Sequence, residues 1–415
     1  MLLASMFSSC AYHVLPTTLY QPHRLLHRNR MYRLVRELDR DGHARRKERA
    51  QQHRGAVILP GPNDVWSLDA YCKLEFWGIQ IYAAIDGYSR MVVWYYVGIT
   101  GRTAVSVLAQ YLDAIQTTGI MPRKLRTGRG AETPMVADAH YTVSQERERP
   151  EGAPPLAWSE VFNYGTSKEN SMIERWWRQG SYGAILQWRD AFIEYKNQGN
   201  FNADFIADRI AFLAIYVPII RYYLTEFVHT WNHHRIRKQP KRPYVNAGIP
   251  WLLYNHPERS GGVESGFPTP ENSPTLEALN RDLQGLDIDE YLPAETLRWC
   301  EDSLAAHGFP RKIDSAAVDT DNNRTHKLAF FALRDHARAH VARGSLPELK
   351  ESPKPYNARR WSANYRPSEL VQRVFADANQ ELVVRGREDI LHGTIFEDRE
   401  DWQDETLGPN LFGEL

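Results

Sequence analysis

The chain has 415 residues, and its 51 Lys or Arg balance its 51 Asp or Glu, so no global field drives it onto nucleic acid or an anionic surface. Apolar residues make up 42% of it, enough for a buried core in two or three domains. Three cysteines, Cys10, Cys72 and Cys300, are odd in number and far apart, which excludes a disulfide framework and suits a reducing compartment.

The first stretch, MLLASMFSSCAYHVLP, is mildly apolar but lacks a basic leader region, so it does not read as a secretory signal. Residues 21–60 carry eleven Lys or Arg, from Arg24 to Arg54, against Glu37, Asp39, Asp41 and Glu48. Leu25, Leu26, Met31, Leu34, Val35 and Leu38 are spaced as one helical face within them. Residues 1–60 are therefore expected to be a basic segment, a truncated helical DNA-binding unit. LPGPND, residues 59–64, marks its end.

A dense run of strand formers follows. DVWSLDAYCKL reads as the first strand, and GIQIYAAIDGYSRMVVWYYVG as two strands joined by a hairpin turn at Asp86-Gly87. TGRTAVSVLAQYLDAIQTTG is an amphipathic helix with Val105, Leu108, Leu112 and Ile115 on one face and Gly119 closing it. PRKLRT is a short strand, and a helix is expected from about Glu132. A polar, Pro-rich loop at 145–158 and a short strand in EVFNYG precede a long helical region from Thr166, bent at Gly180 or Gly183.

The order of three strands, helix, strand, helix, strand, helix predicts a mixed five-stranded α/β sheet covered by helices on its faces. Residues 61–197 would be this core. Residues 198–258 would be a helical extension, whose FIADRIAFLAIYVPII is broken by Asp208, Arg209 and Pro218 and so reads as a buried helix. Residues 259–276, rich in Pro, Gly and Ser, would be a linker. Residues 277–415 would be a helical and irregular tail.

The chemistry concentrates at few positions. Asp69 lies mid-strand between Leu68 and Ala70. It is either a water-facing acid on an edge strand or a buried one with a partner such as a metal ion. Glu174, in NSMIERWWR, either pairs on the surface with Arg178 or shares a face with Asn170 and Trp177. Asp86 reads as a turn residue. Of the adjacent Trp176 and Trp177, one would be core and one rim. RIRKQPKR, residues 235–242, carries five Lys or Arg and no acid, which suits phosphate contacts.

Four blocks together carry a family resemblance: GPNDVWSLDAYCKLEFWGIQIYAAIDGYSRMVVW (61–94), KLRTGRGAETPMVA (124–137), YGTSKENSMIERWWRQ (164–179) and WNHHRIRKQPKRPYVNAGIPWLLY (231–254). They resemble the retroviral integrase and transposase superfamily, with its ribonuclease-H-like fold and Asp-Asp-Glu triad. More closely, they resemble the transposon-derived integrase-core-domain proteins found in fungi and also in animals. The resemblance spans roughly residues 30–258. It implies that Asp69 stands for the first acid and Glu174 for the third. The second belongs in a block Arg-Thr-Asp-x-Gly-x-Glu, which here reads Arg126-Thr127-Gly128-Arg129-Gly130-Ala131-Glu132. Gly128 thus stands where an Asp is expected, and Gly130 is expected to supply the turn.

The resemblance further implies Mg²⁺ or Mn²⁺ held by Asp69 and Glu174 in an active protein, and Mg²⁺-dependent cleavage or strand transfer of DNA as the ancestral reaction. It implies DNA contacts from Arg235, Arg237, Lys238, Lys241 and Arg242. With Gly128 in place, the expected protein is catalytically weak or dead, with Glu132 or Asp138 as the residues that could substitute. The alternative is a non-catalytic DNA-binding or interaction protein on the same fold. DNA is the expected partner, a homo-oligomer is open, no membrane association is expected, and the location is expected to be nuclear or intracellular rather than secreted.

Overall fold

β-branched and aromatic residues crowd the stretch from Val65 to Gly98, and this stretch forms the sheet. The computed structural model describes residues 59–353 apart from 129, 131, 166–169, 240–244 and 318–324, and beyond them 370, 373 and 374. The strands are β1 (Val65–Tyr71), β2 (Gln80–Asp86), β3 (Val92–Gly98), β4 (Ile120–Met121), β5 (Lys124–Thr127), β6 (Phe162–Tyr164) and β7 (Phe267–Pro268). Five of them form one sheet in the order β3-β2-β1-β5-β6. β1 runs antiparallel to β2, and β2 to β3. β5 runs parallel to β1, and β6 parallel to β5. Parallel neighbours need crossovers, which α1 (Ala104–Thr118) and α2 (Pro134–Gln145) supply. This is the mixed, helix-flanked sheet expected from the order of elements.

The sheet is buried on both faces, as a sheet with helical crossovers must be. Every residue of β2 is buried. Trp66, Leu68, Tyr82 and Leu125 pack with α1 and α2 on one face. Tyr71, Ile81, Ala83, Ile85 and Val97 pack on the other, against α4 (Ser171–Gly180), α5 (Leu186–Asn197) and α6 (Ile206–His233). α3 (Trp158–Val161) precedes β6.

The hairpin differs from its sequence signal in one detail. The residue with positive φ between β2 and β3 is Arg90 (φ 66), not Gly87. Gly87 is needed for closeness instead: a Cβ there would fall 2.5 Å from Leu59 Cδ1 and 3.0 Å from the Val65 carbonyl oxygen.

The bend expected at Gly180 or Gly183 is a π-helical turn, Ser181–Ile185, between α4 and α5. Phe227 of α6 lies against it. A Cβ on Gly183 would come 2.7 Å from Phe227 Cε2. Trp176 and Trp177 are both buried, at 1% and 5% exposure, which corrects the expectation that one would be rim. Trp177 packs on Tyr71 with ring centroids 5.1 Å apart, and Trp176 on Phe227 at 6.1 Å.

α6 is long and apolar enough to cross a membrane by length and composition alone, yet 56% of its apolar window is buried inside the protein. It also covers the edge of the sheet. Asn232 accepts from the Val92 amide (2.9 Å) and donates to its carbonyl (3.1 Å), and Arg221 Nε donates to the Val97 carbonyl (2.8 Å). These contacts satisfy backbone groups that an edge strand leaves open.

The rest of the described chain packs on this unit. Residues 259–276, expected to be a linker, are fastened along it. Val263 donates to the Pro60 carbonyl, Ser265 to Pro62 and Thr269 to Gly119, and β7 pairs with β4. The helices α7 (Pro250–Asn255), α8 (Pro274–Asp282), α9 (Ala294–Ala306) and α10 (Thr325–Ala342) complete the described elements. α10 is locked to α6 by Arg338, whose Nε and a terminal nitrogen donate to the fully buried Asp208 at 2.6 Å each. The described parts of Leu59–Lys238 and Val245–Gln380 form one compact unit, so the divisions expected near 197, 258 and 276 do not interrupt the packing. The basic segment 1–58 lies outside the described residues.

Candidate active site

β1 carries Asp69 in the centre of the sheet, opposite Ala83 of β2, and not on an edge strand. Alternation along the strand puts Leu68 on the α1 face and Asp69 on the α4 face with Tyr71. The start of α4 is pinned here by Asn170, a buried residue whose Nδ2 donates to the Leu68 carbonyl at 2.8 Å. One turn on, Glu174 lies in the first turn of α4.

The two acids feel each other. Burial pushes the Asp69 carboxyl up to about 8, and the negative charge of Glu174 adds to this. The Ala70 amide opposes the shift, Glu132 adds a further push, and Trp177 opposes it slightly. The Trp177 indole N–H is near enough to lower the value but makes no full hydrogen bond. An acid held neutral by burial and by other acids marks a place where positive charge would be welcome.

The parallel register then places the third position. Leu68 faces Thr127 at the end of β5, so the next residue, Gly128, comes alongside Asp69. A Cβ built on Gly128 would lie 3.8 Å from Asp69 Oδ1, an ordinary contact. The structure therefore brings Asp69, Glu174 and Gly128 together.

Glu132 is buried at 7% exposure. Burial raises its pKa, Arg102 lowers it, and Glu75 raises it. Arg102 is itself paired with Glu75 at 2.7 Å. Gly130 does not adopt a left-handed conformation. Its role is to leave room for Glu132: a Cβ there would fall 1.9 Å from Glu132 Oε1. The Gly130 carbonyl also accepts from the Thr133 amide at 3.3 Å and the Thr133 hydroxyl at 2.8 Å, so Gly130 opens a turn as expected. Asp138 is part-exposed on α2.

Among the described residues no three His, Cys, Asp or Glu are gathered as a metal ion requires. Asp69 and Glu174 have the hard oxygens that a divalent ion prefers. The full constellation of three acids does not fit, because the place beside Asp69 holds no side chain.

Asp86 is structural, as its turn position predicts. It is fully buried and accepts from the Asn63 amide (2.8 Å), the Tyr88 amide (3.1 Å), and the Ser89 amide and hydroxyl (both 2.7 Å). Of the basic cluster, Arg235, Arg237 and Lys238 are exposed, while Lys241 and Arg242 lie outside the described residues.

An aromatic group lies beside this cluster. His229 and His233, four apart on α6, meet with ring centroids 4.4 Å apart and planes tilted by 34°. His233 stacks on Trp251 at 6.4 Å and an interplanar angle of 18°, and Trp251 meets His256 edge-on. The signal was present as a His-x-x-x-His spacing.

Residues 57–247 match the family model described as the integrase core domain. A solved structure, titled the cryoEM structure of the simian T-cell lymphotropic virus intasome in complex with PP2A regulatory subunit B56 gamma, is 15% identical to this chain. It covers 65% of this chain and 78% of its own, with a TM-score of 0.28. No curated protein matches the chain. The matched segment holds the complete five-stranded sheet and the helices that flank it.

Proposed function

We propose that this protein is a transposon-derived, DNA-handling protein of the Asp-Asp-Glu class whose phosphodiester chemistry is disabled at one position, Gly128. The observation that carries this reading is the 3.8 Å approach of a Gly128 Cβ to Asp69 Oδ1: space for an acid is kept where the acid is missing. Asp69 and Glu174 are the residues that would hold a divalent ion. Such an ion supplies charge neutralisation and Lewis acidity to phosphoryl transfer. The chain's own contribution is to set the two acids on a strand inside the sheet and on a pinned helix. Loss of one ligand of such a set lowers the rate by orders of magnitude. Glu132 lies over Gly130 and its charge reaches Asp69, so Glu132→Gln is the control for substitution by this acid. The test is nicking of supercoiled DNA with Mg²⁺ or Mn²⁺, comparing this chain with Gly128→Asp.

A second reading keeps the fold and drops the chemistry: a non-catalytic DNA-binding or interaction protein. The exposed Arg235, Arg237 and Lys238 favour it. It requires salt-dependent DNA binding that Asp69→Ala leaves unchanged.

A further inference from the structure

The end of α6 and the start of α7 form a surface that the acidic site does not use. An antiparallel bridge between Ile236 and Gly248, with N–H···O distances of 2.8 and 3.1 Å, holds the segment after α6 against the segment before α7. The bridge places Arg235 and Arg237 on either side of Ile236. Trp251 follows three residues after Gly248 and is 39% exposed. Among the described residues Trp251 is exposed, whereas Trp66, Trp176, Trp177 and Trp188 are buried.

The Trp251 ring is not isolated. It is nearly parallel to His233, which meets His229 with planes tilted by 34°. The His233 Nδ1 is bonded to the His229 carbonyl at 2.8 Å, which fixes the imidazole in place. Leu253 and Tyr254 of α7 are buried, and the Tyr254 hydroxyl donates to Asn63 Oδ1 at 2.7 Å, so the platform is anchored to the core. Arg235, Arg237, Lys238 and Arg259 are exposed, and Glu258 stands 3.7 Å from His256.

A fixed, exposed aromatic plane next to exposed guanidinium and ammonium groups suits an unpaired base on an anionic backbone. The ring offers a face for stacking, and the cations take the phosphates. Duplex DNA, whose bases are already stacked, gains the phosphate contacts and not the stacking. We propose that Trp251, backed by His233 and flanked by Arg235 and Arg237, is a stacking site for an unpaired base of single-stranded DNA. The proposal rests on reading the chain as a DNA-handling protein, and it does not depend on the state of Gly128.

The experiment is fluorescence-anisotropy binding of a labelled thymidine oligonucleotide and of a labelled duplex of the same length to the full chain, Trp251→Ala and Trp251→Phe. Single-strand affinity falls about tenfold or more in Trp251→Ala, Trp251→Phe retains most of it, and duplex affinity changes little. Equal loss on both probes, or unchanged single-strand binding in Trp251→Ala, overturns the proposal. A thermal melt confirms that the variants are folded. Failure here leaves the nicking test of Gly128→Asp untouched, and a failed nicking test does not alter this binding result.

Discussion

A Cβ on Gly128 points at Asp69 and stops 3.8 Å from its Oδ1, and among the described residues no atom outside the adjoining peptides comes closer. The backbone of Gly128 is not left-handed, so a side chain is accommodated there without strain. Gly128→Asp should therefore fold. It places another carboxylate beside one already held neutral by burial, with Glu174 and Glu132 adding to the effect. Its melting temperature should fall without divalent ions and rise on adding Mn²⁺ by more than that of the parent chain. Thermal melts with and without Mn²⁺ check this.

Asp69 also predicts a pH dependence. Its folded carboxyl, pushed up to about 8, keeps its proton where the carboxyl of an unfolded chain, near 4, has lost it. Between those values the folded state binds more protons than the unfolded state, so this group makes stability fall as pH rises from about 4 to about 8. Asp69→Asn removes that contribution. The gain in melting temperature from Asp69→Asn should be larger at pH 8 than at pH 5, and a gain that shrinks with pH would contradict the assignment.

Asp86 should prove a structural acid. Asp86→Ala leaves the Asn63, Tyr88 and Ser89 amides without their acceptor in a fully buried place. The expected loss is about 3–5 kcal/mol, read by urea denaturation. Divalent-ion binding should change little wherever the variant is folded.

The C-terminal helices should be part of the same cooperative unit. Arg338→Met removes two of the three hydrogen bonds that the buried Asp208 carboxylate accepts among the described residues and leaves that from the Asn202 amide, at 2.8 Å. The expected cost is about 2–4 kcal/mol, with a single unfolding transition retained. Two separate transitions would show instead that α9 and α10 fold apart from the core.

Much of the fold was legible because its signals are local. The hairpin signal at Asp86-Gly87, the closing of α1 by Gly119, and the strand-helix order each depend on a few neighbouring residues. What was not legible depends on distant partners. The Pro, Gly and Ser of residues 259–276 look like a linker until Pro60, Pro62 and Gly119 are seen to accept their amides. Trp176 and Trp177 look like a core and rim pair until Tyr71 and Phe227 are seen to cover both. Gly130 opens the turn that its type suggests, but nothing local announces the Glu132 carboxylate that lies over it. At the site, Asp69, Gly128 and Glu174 could be nominated from sequence. That Gly128 faces Asp69 could not be, because the parallel register of β1 and β5 is set by the whole sheet.

The most direct measurement is nicking and strand transfer on supercoiled DNA with Mg²⁺ or Mn²⁺, by the chain as it stands, by Gly128→Asp, and by Gly128→Asp combined with Glu174→Gln. The account predicts activity in Gly128→Asp alone, abolished when Glu174→Gln is added. Activity in the unaltered chain that Glu174→Gln removes would contradict it, because another residue would then be supplying the missing ligand.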